Sequence, residues 1–290
     1  MYRYVQAEKA KNPKRSIGRL CRLLGVSTSG FYDWAKRQRE PLRGRAAIDA
    51  ELLAQIRLIH GRFPYYGAPR IHRTLRDKGI AVGRHHVARL MRLHDLRARR
   101  GPIKSRPRSA PPARRPDVGD RVKRQFSALA ADRLWFTDLT AIRTGEGFLR
   151  AAVVLDAHTR EVISWATDGH ETPKTPIRAL VDAVRMRRPT AGCIIHSDRG
   201  YQFTAHDWHD VAAKHGLLVS IGERKSALDN AAMESWFASF KNEDIYPNGP
   251  IKTKAEARSR LFDYIWDYNN HRLHSALGYR SPISYAKLAA

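Results

Sequence analysis

The chain has 290 residues, and its 53 Lys and Arg against 28 Asp and Glu give a formal net charge of +25. This length allows one substantial domain and one or two small ones. No apolar run approaches a membrane span and the N-terminus lacks the apolar core of a signal peptide, so we expect a cytoplasmic protein without membrane association. Two distant cysteines, Cys21 and Cys193, exclude a disulfide framework and a locally built Cys₂His₂ zinc site.

The positive charge is concentrated in one half of the chain. Residues 1–127 contain 32 Lys or Arg against 9 Asp or Glu, a net charge of +23, whereas residues 128–290 contain 21 against 19, a net charge of +2. Arginine greatly outnumbers lysine in the basic half, which suits planar, bidentate contacts to phosphate. This half therefore predicts a nucleic-acid partner, with a membrane surface or an acidic protein as the minority alternative.

Residues 1–45 are interpreted as a first helix-turn-helix region. Ile17 and Leu20 begin an apolar pattern with helical spacing that Gly25 interrupts, and Ser27 is a predicted N-cap for a second short helix. Two short helices joined by a glycine turn are typical of DNA-binding motifs, in which the second helix enters the major groove. An αα-hairpin of unrelated function remains the alternative.

Residues 46–100 repeat this outline as a second helix-turn-helix region. A helix is predicted over 46–60, with Ile48 on its apolar face, and another over 69–75. The segment 80–97 predicts a further helix, with Leu93 on its buried side. Arginines on its other sides are predicted to contact DNA, namely Arg84, Arg89 and Arg92.

The remainder of the chain is predicted to contain a linker, a mixed α/β domain and a helical segment. Residues 101–127 are rich in proline and arginine and predict an extended basic linker. From residue 132 three strands with short connections are followed by alternating helices and strands, which predicts a mixed α/β sheet over 128–245. Residues 246–290 are predicted to be a C-terminal helical segment.

Three carboxylates stand out in the near-neutral half. Asp138 lies in the first predicted strand, Asp198 ends the fourth, and Glu234 lies in a helix opened by Asp229 and Asn230. If the first and fourth strands are neighbours, both aspartates lie at one sheet edge, where α/β sheets place ligand sites. Three such groups repel one another unless cations lie between them, and hard oxygen ligands suit Mg²⁺ or Mn²⁺. Taken alone, Asp138 is better interpreted as a solvent-facing carboxylate; the set of three favours two-metal phosphoryl transfer.

At these residues the chain resembles the bacterial insertion-sequence transposases whose catalytic core is shared with retroviral integrases. The blocks around the three acids are WFTDLT, HSDRGYQF and SALDNAAMESWF, and 35 residues separate Asp198 from Glu234. The segments 66–91 and 268–282 resemble two further family blocks, so the resemblance extends over nearly the whole chain.

The resemblance implies a ribonuclease-H-like core preceded by all-α DNA-binding regions. It implies that Asp138, Asp198 and Glu234 are the catalytic residues and the ligands of two Mg²⁺ or Mn²⁺ ions. The implied reaction is cutting at transposon ends and joining of the freed 3′-OH to new DNA. Lys241 is expected to contact a DNA phosphate. Three other matched positions are expected to support the acidic loop or contact DNA, namely Arg199, Gln202 and Asn230. Arg272 is expected to serve the structure or to bind DNA.

The resemblance also implies partners. The first is double-stranded DNA, both the terminal inverted repeats of the transposon and the target DNA. Further copies of the chain are expected to form a homo-oligomer on that DNA. The product of an upstream reading frame is expected as a separate partner or as a fusion. The expected location is the bacterial cytoplasm, with the nucleoid. Lys225 departs from the family pattern because relatives often have glycine there, so the conformation of the loop before Asp229 stays open. Two alternative functions remain: a non-catalytic DNA-binding regulator or domesticated remnant, and a structure-directed nuclease on the same fold.

Overall fold

The fold is organised around a five-stranded mixed sheet. The computed structural model describes residues 1–39, 44–99, 119–123, 125–222 and 230–289. Its strands are β1 (Leu134–Thr144), β2 (Gly147–Asp156), β3 (Val162–Asp168), β4 (Ile194–Ser197) and β5 (Leu218–Ile221). Their order is β3-β2-β1-β4-β5; β1 to β3 are antiparallel, whereas β4 is parallel to both β1 and β5. This is the strand order of a ribonuclease-H-like core, so the predicted fold class is confirmed.

Two clusters of three helices precede the sheet. Their helices are α1 (Tyr2–Lys11), α2 (Ile17–Leu23), α3 (Thr28–Arg39), α4 (Arg45–Arg62), α5 (Ala68–Asp77) and α6 (Arg84–Leu93). The first cluster encloses a small core of Val5, Cys21 and Phe31, and the second a larger core that includes Ile56 and Ile71. Each cluster therefore buries its own apolar faces.

The turn chemistry of the first cluster agrees with the sequence pattern. Gly25 has a φ of +64°, a conformation that glycine adopts readily, and the hydroxyl of Ser27 accepts a hydrogen bond from the N–H of Gly30 at 3.2 Å. The assignment of Ile48 and Leu93 to buried faces was wrong, because these side chains are 60% and 63% exposed. Both lie near helix ends, where the apolar stripe extends past the neighbouring helices.

Helices cover both faces of the sheet. The helices α7 (Lys174–Arg187) and α8 (His206–Lys214) pack on one face, and α9 (Ala231–Phe240) and α10 (Lys254–His271) on the other. Adjacent residues of β2 serve opposite faces: Val153 joins the α9 and α10 side, and Val154 the α7 and α8 side. This two-sided burial explains why β2 is a continuous apolar run in the sequence.

The chain on either side of the core is tied into it. Val122, within the segment predicted as linker, is buried among the residues that pack against α9 and α10. The hydroxyl of Tyr66 donates to the carbonyl of His271, and Arg70 Nε to that of Leu273, at 3.0 and 2.9 Å. The second helical cluster therefore contacts the C-terminal segment directly.

Three short elements complete the C-terminal part. They are a π-helical turn at Lys241–Ile245, a 3₁₀ turn at Ser275–Leu277 and the helix α11 (Pro282–Ala289). No helix in the described ranges is both long and apolar enough to cross a lipid bilayer. Most of the predicted linker, residues 101–118, lies outside the described residues, as do Lys225 and Asp229.

Candidate active site

The pairing of β1 with β4 determines the relative position of the two predicted catalytic aspartates. Leu134 pairs with Ile194, and Phe136 with His196, in parallel register. The same register continued past its last pair brings Asp138 level with Asp198, at the edge where both strands leave their shared ladder. The strand neighbourhood on which the prediction depended is therefore present.

Asp138 lies in a strongly perturbed electrostatic environment. Burial raises the pKa of its carboxyl group well above the ordinary range, and the negative charges of Asp198 and Glu234 raise it further. The N–H of Leu139, which donates to Oδ1 at 2.7 Å, and the positive charge of Lys241 act in the opposite direction. Asp198, Glu234 and Lys241 are thus close enough to Asp138 to change the pKa of its carboxyl group.

Asp198 shares part of this environment. Burial raises the pKa of its carboxyl group, and the N–H of Gly200 opposes that shift by donating to Oδ1 at 2.9 Å. In the described ranges no three His, Cys, Asp or Glu side chains form a ready-made metal cluster. The three carboxylates therefore influence one another electrostatically, but in the described residues they are not gathered into a ready coordination sphere. Mutual repulsion between carboxylates favours such a separation.

Asn230 attaches the helix of Glu234 to the strand of Asp138. Its side-chain Nδ2 donates to the main-chain carbonyl of Thr137 at 3.0 Å. The main-chain carbonyl of Asn230 accepts a hydrogen bond from the N–H of Glu234, also at 3.0 Å. Asn230 is only 5% exposed. This contact holds the first turn of α9 against β1 and brings Glu234 to the side of the two aspartates.

The donor set at this edge suits a hard divalent cation. Its charged groups are carboxylates, which Mg²⁺ and Mn²⁺ prefer. Asp198 and Glu234 add their negative charges to that of Asp138. This excess of negative charge favours a cation here.

Two residues of the Asp198 block support its loop. Arg199 Nε donates to the carbonyl of Gly222 at 2.7 Å. Gln202 is buried, and its Nε2 donates at 2.7 Å to Glu171, which also pairs with Arg150 at 2.8 Å. The amides of Gln202 and Asn230 are thus engaged inside the protein, which favours the loop-support role over DNA contact.

Arg272 is enclosed within the protein. It is 5% exposed, and both terminal nitrogens bond the carboxylate of Glu243, one of them at 2.7 Å. Its guanidinium also lies 5.0 Å from the ring centre of Tyr65 and 5.8 Å from that of Tyr268. An enclosed guanidinium that is paired in this way favours the structural role over DNA binding.

The three arginines of α6 are not equivalent. Arg84 and Arg92 are exposed, whereas Arg89 Nη2 donates to Asp49 at 2.6 Å, and His86 bonds the same carboxylate. Arg89 therefore joins α6 to α4, and the two exposed arginines keep their charges available to solvent.

Sequence reasoning missed Glu243 altogether. A buried arginine requires a partner, but Glu243 and Arg272 are far apart in sequence and belong to different blocks. Aromatic residues near Arg272, such as Tyr264 and Tyr268, are compatible with an enclosed guanidinium but do not identify its acid.

Comparisons with known proteins identify two kinds of domain in this chain. An integrase core domain matches residues 128–227, a second integrase core domain model matches 215–282, and an HTH-like domain matches 47–102. The uncharacterized 31 kDa protein of insertion element IS600 from Shigella sonnei is 35% identical, over 92% of this chain and 97% of the length of that protein. The transposase InsF of insertion sequence IS3A from Escherichia coli K12 is 33% identical over 98% of both chains.

The chain is also similar to solved viral structures at low identity. One is a simian T-cell lymphotropic virus intasome in complex with a PP2A regulatory subunit, with a TM-score of 0.48, 15% identity, and coverage of 80% of this chain and 74% of that chain. Another is the HTLV-2 integrase catalytic core with magnesium, with a TM-score of 0.42, 16% identity, and coverage of 55% and 98%.

The fold and the matched domains define a DNA transposase with an integrase core. Such proteins bind DNA and transfer polynucleotide strands. Within this class, the chain belongs to the insertion-sequence transposases that include InsF of IS3.

Proposed function

We propose that Asp138, Asp198 and Glu234 are the catalytic acids and together bind two Mg²⁺ or Mn²⁺ ions. The observation that carries this proposal is the raised pKa of Asp138, to which both other carboxylates contribute at the shared edge of β1 and β4. When bound, the ions would activate the attacking oxygen and stabilise the leaving oxygen of an in-line displacement at phosphorus.

The reaction we propose has two phosphoryl-transfer steps. Water first cuts a phosphodiester at the transposon end and leaves a 3′-OH. That hydroxyl then attacks a target phosphodiester, so that one phosphorus–oxygen bond forms, another breaks, and a new 3′-OH is released. Asn230 holds the Glu234 helix in place for both steps, because it bonds β1 directly.

Cationic side chains position the DNA in this proposal. Lys241 would contact a phosphate beside the acids, because its charge already reaches Asp138. Arg199 would contact DNA beside Asp198, and the exposed Arg84 and Arg92 would bind the backbone at the helix-turn-helix region.

The larger assembly is part of the same proposal. Two transposon ends must be joined together, so we expect a homo-oligomer on terminal inverted repeats and target DNA. An upstream-frame product is the further partner or fusion. The proposed division of labour is DNA recognition by residues 1–45 and 46–100, connection by 101–127, catalysis by 128–245, and support by the C-terminal segment 246–290.

A strand-transfer assay tests the proposed chemistry. The full chain is incubated with terminal inverted-repeat DNA and Mg²⁺, and nicked and joined products are counted. Asp138→Asn, Asp198→Asn and Glu234→Gln should each lower product formation by about a thousandfold or more while DNA affinity changes little. An active variant would remove that residue from the metal site.

The same assay separates the alternative functions. DNA binding without any strand product would favour a regulator or remnant. Cleavage of branched DNA without joining would favour a structure-directed nuclease.

A further inference from the structure

A basic cavity of about 260 Å³ lies on the α9 and α10 side of the sheet, apart from the acidic edge. Its residues come from four parts of the chain: the second helical cluster, the β2–β3 turn, α9 and the C-terminal segment. They include Arg70, Arg160, Ser235, Trp236, Ser239, Tyr268, Arg272 and His274. By the same measure one water needs only about 10–15 Å³, so the cavity can hold a small ligand with water.

The cavity has more positive charge than its carboxylates balance. Arg272 is paired with Glu243, but within the described ranges neither Arg70 nor Arg160 has a carboxylate partner. Arg70 Nε bonds the carbonyl of Leu273, and Arg160 Nη2 that of Phe126. The charge of Glu243 also acts on Arg70, so this one carboxylate serves both Arg70 and Arg272. Three guanidinium charges therefore surround the cavity with one carboxylate paired among them in the described ranges, an arrangement that favours an anion.

The positive charges around the cavity also act on His274. Burial, together with the charges of Arg272, Arg70 and Arg160, lowers the pKa of this imidazole to about 3. The ring is therefore neutral near pH 7 and adds no charge to the cavity.

We propose that this cavity binds a phosphate group through Arg70 and Arg160, beside the Arg272–Glu243 pair. Tetrahedral oxyanions suit several convergent N–H donors, and arginine is favoured for phosphate because its donors form a planar fork. The phosphate would connect the helical cluster, the sheet and the C-terminal segment behind the helix that carries Glu234. Its source is either a DNA backbone phosphate or free phosphate, which share this chemistry.

A thermal-unfolding titration tests the site with inorganic phosphate as the probe, against chloride at matched ionic strength and without Mg²⁺. For the full chain we expect the melting temperature to rise with phosphate in a saturable manner. Arg160→Gln should weaken the apparent phosphate affinity by about tenfold. The matched control is Arg143→Gln, which removes an equal charge from an exposed position of β1 and should leave the affinity unchanged.

Ser239→Asp keeps the test decisive if Arg160→Gln folds poorly. A carboxylate at this lining position would supply the missing counter-charge. The phosphate-free protein should then melt at a higher temperature and lose its phosphate response. Equal effects of phosphate and chloride, or equal losses in Arg160→Gln and Arg143→Gln, would overturn the proposal.

A DNA arm identifies the source of the phosphate. If a saturating short duplex abolishes the response to inorganic phosphate, a backbone phosphate occupies the cavity; if the response persists, free phosphate does. Asp138→Asn should respond to phosphate like the parent protein, because the cavity does not include the acidic edge. Failure of the metal proposal would therefore leave this result unaffected.

Discussion

The side-chain amide of Asn230 donates to the main-chain carbonyl of Thr137 across 3.0 Å, and this contact joins the two elements that carry Glu234 and Asp138. It is buried, so it is not exchanged readily for water. The geometry of the acidic edge therefore depends on an uncharged residue that contributes no metal-ligand charge of its own.

Asn230→Ala is expected to reduce strand transfer by about tenfold to a hundredfold, because small displacements of a catalytic group have effects of this size. It should also raise the Mg²⁺ concentration needed for half-maximal activity. DNA affinity should stay within about twofold, since the amide faces β1. Strand-transfer rates over a Mg²⁺ titration and DNA-binding isotherms measure these effects.

Asn248→Ala is the matched control. It removes an exposed amide that bonds Asp244 at 3.1 Å and should change neither quantity. Loss of DNA affinity in Asn230→Ala alone would instead restore the role of DNA contact to Asn230.

The acidic edge was largely predictable from the sequence because it depends on strand order. Asp138 and Asp198 each follow an apolar strand pattern, and a parallel β1–β4 pair is enough to align them. The burial of individual polar side chains was harder to predict, because arginine and glutamine, as at Arg272 and Gln202, usually lie at the protein surface. Their partners, Glu243 and Glu171, lie 29 and 31 residues away. Only the packing of α9 and α10 determines which acid a buried arginine meets.

The basic cavity was not predictable at all. Arg160 was an ordinary turn residue in the sequence, and Arg70 lies in a helix assigned to DNA recognition. Their convergence results from contacts between segments that are distant in the chain. The hydrophobic periodicity of either segment does not predict that the two arginines meet.

Metal binding should depend on pH in a direction set by Asp138. Its folded pKa lies above the ordinary value of 3.8, so the metal-free protein binds this proton more tightly when folded. This tighter proton binding stabilises the folded protein fully at a pH below the pKa of Asp138 in the unfolded chain. The stabilisation is lost as the pH rises through the pKa of Asp138 in the folded protein. Because Mg²⁺ competes with this proton, the stabilisation by Mg²⁺ should increase with pH.

Unfolding free energies with and without Mg²⁺, from about pH 5 to about pH 7.5, measure this linkage. Asp138→Asn removes the titrating group and should flatten both the pH dependence and the Mg²⁺ response. A Mg²⁺ response that is independent of pH in the parent protein would argue against Asp138 as a ligand.

DNA binding by α6 should be divided unequally among its arginines. Arg84→Gln combined with Arg92→Gln removes two exposed charges, and each phosphate contact adds about 0.9 to the slope of log affinity against log salt. The double variant should therefore reduce that slope by about 2. Fluorescence anisotropy over a salt series measures it.

Arg185→Gln is a control of equal charge type on α7, where the exposed arginine pairs with Asp182. It should leave the slope unchanged. If it reduces the slope per residue as much as the α6 variant does, the binding is spread over the whole surface and is not concentrated in α6.

The Arg272–Glu243 pair should be a structural element of the C-terminal segment. Both side chains are almost fully enclosed, so removal of one partner leaves an uncompensated buried charge. Glu243→Gln or Arg272→Met should each lower the free energy of unfolding by about 3–5 kcal/mol. Denaturant unfolding in phosphate-free buffer measures the loss, and exclusion of phosphate keeps the neighbouring cavity from contributing.

The double variant Glu243→Gln with Arg272→Met distinguishes the charge effect from general damage. Because it leaves neither charge unpaired, its loss of stability should be well below the sum of the two single losses. Additive losses would show that each residue acts through separate contacts, such as the rings of Tyr65 and Tyr268 that flank Arg272. A coupling of at least about 2 kcal/mol is therefore the outcome that identifies the ion pair itself as the stabilising interaction.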